Sequence, residues 1–257
     1  MRQYANVSGA ILFFHAHPDD EALLTAGTMA RANAEGQRVI LVTATAGEAG
    51  LADESRGSGL GSRRIHELQR SGRILGAARI ELLGYADSGI DGDSAVGGAT
   101  AFCQVPVADV AARLAAIIAE EGVHTLVTYD ASGGYGHPDH VHVHRCGVAA
   151  AQLSGLDRVF AATAPREPFA FGVHVADRFA ELPPGTVPQF ENAYTPSGQI
   201  THGVDVRDYC DFKRAAMAAH ASQATGGDIR TLGVLLKLPR PLYRRILGTE
   251  YYRRLPV

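Results

Sequence analysis

The sequence predicts an α/β protein of the Rossmann-like kind, with a mostly parallel sheet and helices on both faces. Short apolar runs alternate with longer amphipathic stretches over about residues 8–163, which is the pattern of strand–helix–strand units. Polar, glycine-rich segments follow several of these apolar runs. Because ligands bind at the carboxyl ends of the strands in such sheets, we expect the active site where these segments converge.

The predicted elements alternate in chain order. Each predicted strand is an apolar run too short for a typical helix, and each predicted helix has apolar residues spaced three or four apart. Pro18 and Gly36 bound the first helix, since proline suits a first helical turn and glycine often follows the last one. The predicted strands span 10–15, 38–44, 79–84, 124–129 and 158–163, and the predicted helices span 18–34, 62–75 and 107–121, with a further helix after 137–138.

The last third of the chain is less regular. Prolines interrupt short apolar runs over 164–203, so we expect an irregular lid or insertion there. A C-terminal helix over 206–222 and a basic, aromatic tail are expected within 204–257. We expect the tail to pack back on its own domain, and docking on a membrane or a second subunit is the alternative. The whole chain, 1–257, is then a single domain.

Composition and charge exclude several classes of protein. Hydrophobic residues make up 46% and charged residues 20% of the 257 residues, as in ordinary globular proteins. A formal net charge of -3 argues against a nucleic-acid partner. The three cysteines lack CxxC spacing, and the N-terminus lacks a signal-peptide pattern. We therefore expect a cytoplasmic protein without membrane association, and the oligomeric state stays open.

The first candidate motif lies where the first strand passes into the first helix, in the segment HAHPDDE over 15–21. His17 and Asp20 are three residues apart across a helical turn, so both can face one small volume. Two such ligands and a third from elsewhere would leave an open position for water on a metal ion. The alternative is that Asp19, Asp20 and Glu21 only complement a helix dipole, which does not explain the preceding His-Pro.

The second candidate motif, YGHPDH over 135–140, repeats this arrangement after a later strand. His137-Pro138 again stands at a strand-to-helix junction, and Asp139 and His140 fall in the first helical turn. Two surface histidines are the alternative. Because both junctions lie on the same edge of the predicted sheet, we favour one shared metal site.

Together these residues resemble a known family. The segments 16–21 and 136–140 are similar to the paired motifs of LmbE/PIG-L-type zinc N-acetylglucosamine deacetylases. The resemblance is greater to the actinobacterial branch that acts on N-acetylglucosaminyl-inositol in mycothiol synthesis. It includes Gly133-Gly134-Tyr135, Arg64 ahead of Glu67-Leu68, and Asp87-Ser88-Gly89, with a weaker match over 219–223.

The resemblance implies a role for each matching position. It implies one zinc ion per chain on His17, Asp20 and His140, with Asp19 as general base. It also implies that His137 and Tyr135 assist at the carbonyl oxygen, His137 as oxyanion stabiliser or proton donor. The positions that would contact sugar or aglycone hydroxyls are Glu48, Arg64 and Asp87.

The expected function is hydrolysis of an N-acetyl group on a small amino-sugar conjugate, by metal-activated water with Asp19 as base. An amidase that cleaves a larger acyl group, as from a mycothiol conjugate, is one alternative. A non-catalytic metal- or sugar-binding module is another. Histidine and aspartate ligands suit zinc but tolerate iron, cobalt or manganese.

Several other polar residues near the motifs need an interpretation. His15 shares a strand face with His17 and is either a supporting neighbour of the metal site or a buried structural histidine. Asp139 either orients a ligand histidine through a hydrogen bond or only favours the helix start. We expect His142 and His144 to make no metal contact, and we assign no chemistry to His220.

Overall fold

The computed structural model describes residues 9–48, 59–92, 99–180, 190–224 and 231–257. A seven-stranded sheet has the order β3-β2-β1-β4-β5-β7-β6. The first five strands pair in parallel, and the last two add antiparallel to one edge. The strands are β1 Ala10–His15, β2 Arg38–Thr45, β3 Arg79–Tyr85, β4 Val123–Tyr129, β5 Val159–Thr163, β6 His202–Asp205 and β7 Thr249–Arg254.

Helices cover both faces of the sheet, as the sequence predicts. The labels used below are α1 Asp20–Leu24, α2 Ala26–Ala34, α3 Leu60–Ile74, α4 Val107–Glu121, α5 Pro138–Ser154, α6 Arg166–Ala180, α7 Cys210–Ala219, α8 Ala221–Ala224, α9 Thr231–Lys237 and α10 Arg240–Leu247. Apolar residues of α4 and α5 pack with one core cluster, and those of α2, α3, α7 and α10 pack with a second one.

The central strand β1 explains why two cores form. Successive side chains of a strand point to opposite faces. Leu12 and Phe14 of β1 belong to the core under α4 and α5, whereas Phe13 belongs to the core on the other face. All three are fully buried. Burial on both faces accounts for the continuous apolar run of this strand.

The first predicted helix, over 18–34, is two helices. α1 ends at Leu24 and α2 begins at Ala26, with Thr25 between them at φ -133°. The backbone N–H groups of Gly27 and Thr28, in the first turn of α2, both donate to the carboxylate of Glu250 on β7, at 2.9 and 2.8 Å. A carboxylate at a helix N-terminus satisfies unpaired donors and complements the dipole. A contact from the far end of the chain therefore fixes the break.

The segment over 164–203, which we expected to be irregular, contains the helix α6 over Arg166–Ala180. The basic tail packs back on its own domain, as predicted, but as regular structure. β7 pairs antiparallel with β5 and β6, so it fills the position between them. The sequence signal for these strands is weak because they are short and carry charged residues.

The predicted helix over 206–222 is shorter than expected. α7 spans Cys210–Ala219 and ends at His220, which serves as its C-cap. In the part of the chain that the structure describes, no helix has the length and apolar character needed to cross a membrane.

Candidate active site

Four strand ends bring the predicted site residues to the same edge of the sheet. β1 and β4 end at His15 and Tyr129, and their following loops carry the two His-Pro-Asp motifs. β2 and β3 are followed by Glu48 and Asp87. Because β1 lies between β2 and β4, the loops after these strands meet. This is the carboxyl edge at which parallel α/β sheets bind ligands.

His17, Asp20 and His140 form a triangle of close contacts at this edge. His140 Nε2 lies 3.4 Å from His17 Nδ1. The two oxygens of Asp20 lie 3.4 Å from His17 Nδ1 and 3.5 Å from His140 Nε2. All three residues are buried. Two imidazoles and one carboxylate at these separations can close on a common ion.

His137 also lies within reach of this point. Ligand atoms of His17, His137 and His140 lie within 4.8 Å of one another, so these three histidines are a second possible set of ligands. His17, Asp87 and Asp139 form another group within the same distance. His17 belongs to both groups and is the centre of the cluster.

The other ring nitrogen of His17 faces carboxylates. Its Nε2 lies 3.2 Å from Asp139 Oδ2 and 3.4 Å from Asp87 Oδ1. Asp139 is itself held by Ser88, whose hydroxyl and backbone N–H both donate to it. A histidine with one nitrogen toward a metal and the other donating to a carboxylate is the usual arrangement of a metal ligand.

The electrostatics of the cluster favour a bound cation. Burial acts to lower the pKa of His17, but hydrogen bonds with Asp139, Asp20 and Asp87 hold that pKa well above its usual value. Burial acts to raise the pKa of Asp20, but His140 and His17 hold it well below its usual value. Buried carboxylates therefore stay ionised here, and they require positive charge nearby. The residues fit a divalent metal ion in both donor type and charge.

His140 and His137 lie at the same edge with a different charge state. Burial lowers the pKa of His140 to about 4, although Asp20 opposes this, so its ring is neutral and can ligate a metal. Burial and the neighbouring His17 lower the pKa of His137 as well. His137 Nδ1 accepts the backbone N–H of Asp139 at 3.2 Å and caps α5.

Asp19 has an unusual backbone conformation. Its φ is 117° and its ψ is -26°, a left-handed region in which residues other than glycine are rare. Its backbone N–H donates to Glu21 Oε2 at 3.0 Å, and its carboxylate lies 3.3 Å from Arg64. Burial raises the pKa of Asp19 to about 6, and the Arg64 charge opposes this rise. A carboxylate with such a pKa can exchange a proton near neutral pH.

Tyr135 lies over the histidines from the loop after β4. Its ring centroid is 5.2 Å from that of His140 and 6.1 Å from that of His137. Phe190 packs on its other side at 5.8 Å. Burial raises the pKa of Tyr135 well above its usual value, so the hydroxyl keeps its proton and can donate.

The three predicted substrate contacts lie beside this cluster and also support its loops. Glu48 Oε1 accepts the backbone N–H of Asp87 at 3.0 Å, and Asp87 Oδ1 accepts that of Gly89 at 2.9 Å. Arg64 donates to the carbonyl oxygens of Pro18 and Gly47, at 2.6 and 2.7 Å. Arg64 is only 3% exposed. It joins the loops that carry these two carbonyl oxygens, and it also faces Asp19.

Sequence reasoning missed Tyr129, which packs on the triangle of His17, Asp20 and His140 through the ring of His140. Its ring stacks on that of His140, with centroids 4.5 Å apart and planes at 4°. Its hydroxyl contacts His15 Nδ1 at 3.1 Å, and His15 Nε2 contacts Thr25 at 2.9 Å. His15 is thus buried and hydrogen-bonded behind the ligands. The sequence signal was only that Tyr129 is polar and ends a strand.

His142 and His144 make other contacts. His144 Nδ1 lies 2.8 Å from the Tyr129 carbonyl oxygen, and the ring of His142 packs on Phe102 at 4.8 Å. Among the described residues neither joins a group of ligand atoms that could hold a metal ion. His220, to which the sequence analysis assigned no chemistry, lies 2.6 Å from Glu21 beneath Asp19. The weak motif match over 219–223 was the signal that could have pointed to it.

Fold and site together define a class: a mostly parallel α/β protein with a buried cluster of histidines and aspartates at the carboxyl edge, where these side chains could hold a metal ion. The family model described as PIG-L, GlcNAc-PI de-N-acetylase, matches residues 12–151, more than half of the chain. The chain belongs to the PIG-L family of metal-dependent de-N-acetylases and is an amide hydrolase.

Relatives of known name agree with this membership. The chain is 37% identical over 230 residues to the 1D-myo-inositol 2-acetamido-2-deoxy-alpha-D-glucopyranoside deacetylase of Saccharomonospora viridis, covering 84% of this chain and 86% of the relative. It is 36% identical over 262 residues to the protein of the same name from Acidothermus cellulolyticus, covering 95% of this chain and 87% of the relative.

Solved structures share the fold at lower identity. The N,N'-diacetylchitobiose deacetylase of Pyrococcus horikoshii matches with a TM-score of 0.60 at 23% identity, covering 96% of this chain and 84% of that one. The 4-carboxy-2-hydroxymuconate hydratase GalB of Pseudomonas putida also matches, with a TM-score of 0.60 at 17% identity, covering 95% of both chains. Because the fold carries both activities, the function must be argued from the site.

Proposed function

We propose that this chain is a zinc-dependent deacetylase that removes the acetyl group from N-acetylglucosamine joined to inositol, with Asp19 as the general base. The main support for this proposal is the close contact among His17, Asp20 and His140, with Asp19 next to Asp20 in the chain. The substrate follows from relatives 36–37% identical, which are named for it.

Hydrogen bonding favours His17, Asp20 and His140 over the three-histidine set as ligands. His137 Nδ1 accepts a backbone N–H, so it carries no proton, and the proton of the neutral ring is on Nε2. An Nε2–H group donates a hydrogen bond and cannot ligate a metal. His137 is therefore better suited to face substrate, and Asp20, whose carboxylate stays ionised, completes the ligand set.

Asp19 supplies the proton transfers. When bound, zinc would act as a Lewis acid toward water and the acetamide carbonyl. Asp19 takes a proton from the attacking water, because its carboxylate lies beside the ligands and its pKa of about 6 leaves it ionised at neutral pH. The departing nitrogen must be protonated to leave as an amine. Since His137 is neutral, with a lowered pKa, protonated Asp19 is the better donor.

His137 and Tyr135 are suited to stabilise the developing oxyanion. The first offers Nε2–H and the second a hydroxyl that keeps its proton. Removal of one such donor typically costs about 3 kcal/mol of transition-state stabilisation. The burial of both residues strengthens each hydrogen bond, because little water competes for it.

Recognition of the sugar is assigned to Glu48, Arg64 and Asp87. Their positions after β2, on α3 and after β3 surround Asp19 and His17. Carboxylates accept hydroxyl protons and a guanidinium donates to hydroxyl oxygens. Asp139 and His15 support the ligands from behind, Asp139 through His17 and His15 through Tyr129.

The wider setting is also part of the proposal. One zinc ion per chain acts in a single domain over 1–257, in which the C-terminal strand β7 pairs within the main sheet. The cysteines Cys103, Cys146 and Cys210 are unpaired, which supports a reducing compartment such as the cytoplasm. The partner is a small amino-sugar conjugate, and no role in nucleic-acid binding is proposed.

The test measures free amine released from a panel of N-acylated glucosamine conjugates by the zinc-loaded protein, together with its metal content. We expect turnover of N-acetylglucosaminyl-inositol, and a loss of at least about 100-fold in kcat for Asp19→Asn with zinc still bound. The exposed Asp157→Asn is the matched control and should leave kcat unchanged.

Each other outcome contradicts part of the proposal. Release of amine only from conjugates with larger acyl groups would replace the deacetylase with an amidase for such conjugates. Zinc binding without turnover of any panel member would indicate a binding module. Full turnover in Asp19→Asn would remove Asp19 as the base.

A further inference from the structure

We propose that Glu21 and His220 are positioning residues for Asp19: this buried pair holds the Asp19 backbone in its left-handed conformation and thereby aims its carboxylate. The inference depends on the proposed function, since it takes Asp19 to be the base. It joins a residue of α1 to one 199 positions later in the chain, at the end of α7.

The conformation of Asp19 needs support. With φ at 117°, the residue has a backbone that side-chain-bearing residues adopt at a cost in free energy. Such a conformation persists only where the surroundings stabilise it. Two side chains contact different groups of Asp19. Arg64 lies 3.3 Å from its carboxylate, and Glu21 accepts its backbone N–H at 3.0 Å.

Glu21 can accept that N–H only in one orientation. Its second oxygen, Oε1, is contacted by the Ser71 hydroxyl at 2.5 Å and by His220 Nε2 at 2.6 Å. Glu21, Ser71 and His220 are fully buried, so water does not replace a lost partner. Fixing Oε1 therefore fixes Oε2, the atom that contacts the Asp19 N–H.

His220 is in turn fixed by the C-terminal part of the chain. Its backbone N–H donates to the Met217 carbonyl oxygen at 3.2 Å, which ends α7. Two residues on, the backbone N–H and hydroxyl of Ser222 donate to Glu67 on α3, at 2.9 and 2.6 Å. These two hydrogen bonds hold the segment after α7 against α3.

The residues of α3 that contact Asp19, Glu21 and the segment after α7 lie on one face of the helix. Arg64, Glu67 and Ser71 are spaced three and four residues apart, which places them on the same side of a helix. In order, they contact Asp19, Ser222 and Glu21. The general base is therefore held between α3 and the segment that begins at His220.

A purely structural pair would also be buried and hydrogen-bonded, so the test separates the two roles. His220→Leu removes the donor, whereas His220→Gln keeps an N–H that can reach Glu21. Because a misplacement of about 1 Å can cost about 100-fold in rate, we expect kcat of His220→Leu to fall by about 10- to 100-fold. KM and zinc affinity should stay within about 3-fold, and His220→Gln should restore most of kcat.

Glu67→Gln is the matched control. It weakens the contact to Ser222 but keeps one acceptor oxygen there, so the segment stays against α3 and the contact between His220 and Glu21 is left in place. It should lower the unfolding midpoint without lowering kcat. Ser71→Ala is a milder second variant in case His220→Leu does not fold. Because it removes the other partner of Glu21 Oε1, it should lower kcat by about 3- to 10-fold.

A double-mutant cycle gives the decisive readout. If His220 acts through Asp19, adding His220→Leu to Asp19→Asn should lower kcat no further than Asp19→Asn alone. Three results would overturn the inference. The first is a double variant whose loss in kcat is the product of the two single losses, and the second is a loss in kcat for Glu67→Gln equal to that for His220→Leu. The third is an unchanged kcat in both His220→Leu and Ser71→Ala. If Asp19→Asn itself keeps full turnover, the proposed function fails instead, and the two failures are distinguishable.

Discussion

His17 presents its two ring nitrogens to two different partners: Nδ1 lies 3.4 Å from His140 Nε2, and Nε2 lies 3.2 Å from Asp139 Oδ2. The carboxylate thus fixes which nitrogen is available to a metal ion. Ser88 fixes the carboxylate in turn. A residue that contacts no substrate can therefore control the metal centre.

Substitution of Asp139 should weaken metal binding. In Asp139→Ala, His17 Nε2 loses the nearer of its two carboxylate partners and keeps only Asp87 at 3.4 Å, so the ring is held less firmly and the wrong tautomer gains population. We expect zinc affinity to fall by about 10- to 100-fold, the usual range for such a supporting residue. Competition with a chromogenic chelator measures the affinity. The exposed Asp109→Ala serves as control, and equal affinities in both variants would contradict the assignment.

The pH dependence of kcat/KM should follow the ionisation of the Asp19 carboxylate. As the proposed base, Asp19 works ionised, so kcat/KM should fall as the pH drops through its pKa, which is about 6 and becomes lower once a cation is bound nearby. The Arg64 charge lowers this pKa. Arg64→Met should therefore move the acid limb to higher pH, and Arg64→Lys should move it less.

The measurement is a pH–rate profile of kcat/KM for each variant. Arg70→Met, an exposed arginine of the same helix, is the control and should leave the limb in place. An acid limb that stays fixed in Arg64→Met would show that a different group titrates.

Gly133 should be required for placing His140. Its φ is 65°, and a Cβ there would lie 2.6 Å from Val141 N and 2.9 Å from His140 Cβ. Gly155 has a similar φ of 64° and nothing within 4 Å of such a Cβ. Both alanine variants share a backbone cost of about 1–2 kcal/mol, but only Gly133→Ala displaces His140, a proposed metal ligand.

We therefore expect Gly133→Ala to lose zinc affinity and Gly155→Ala to keep it. Isothermal titration with zinc and urea unfolding of the metal-free chains measure the two effects separately. Equal zinc affinities would mean that the loop before His140 adapts without moving it.

The buried Lys213–Glu250 pair should dominate the stability of the C-terminal part. The two groups are 2.6 Å apart, and each side chain is 2% exposed. Lys213→Met leaves Glu250 buried without its cation, which should cost about 3–5 kcal/mol of unfolding free energy. Arg207→Met breaks the exposed pair with Asp205, which water and salt screen, so it should lower the unfolding free energy far less. Urea denaturation compares them, and similar losses would contradict the burial argument.

The sequence predicted the parallel core well because its strands are continuous apolar runs and its helices have regular apolar spacing. β1 and β4 and the motifs after them needed no tertiary information. The antiparallel strands β6 and β7 were not predicted, since four- and six-residue segments with charged side chains carry little strand signal. α6 was missed among prolines, and the break at Thr25 depends on Glu250, a contact no local pattern encodes.

The features of the candidate site can likewise be divided into those that the sequence predicted and those that only the structure showed. Residue types and spacing within two short motifs determined which side chains could hold a metal and accept a proton, because strand-to-helix junctions on one sheet edge must converge. Only the tertiary structure decided which nitrogen of His17 faces the ligands, that Tyr129 stacks on His140, and that Glu21 and His220 meet beneath Asp19. These relationships depend on side-chain packing between distant segments, which periodicity and propensity do not record.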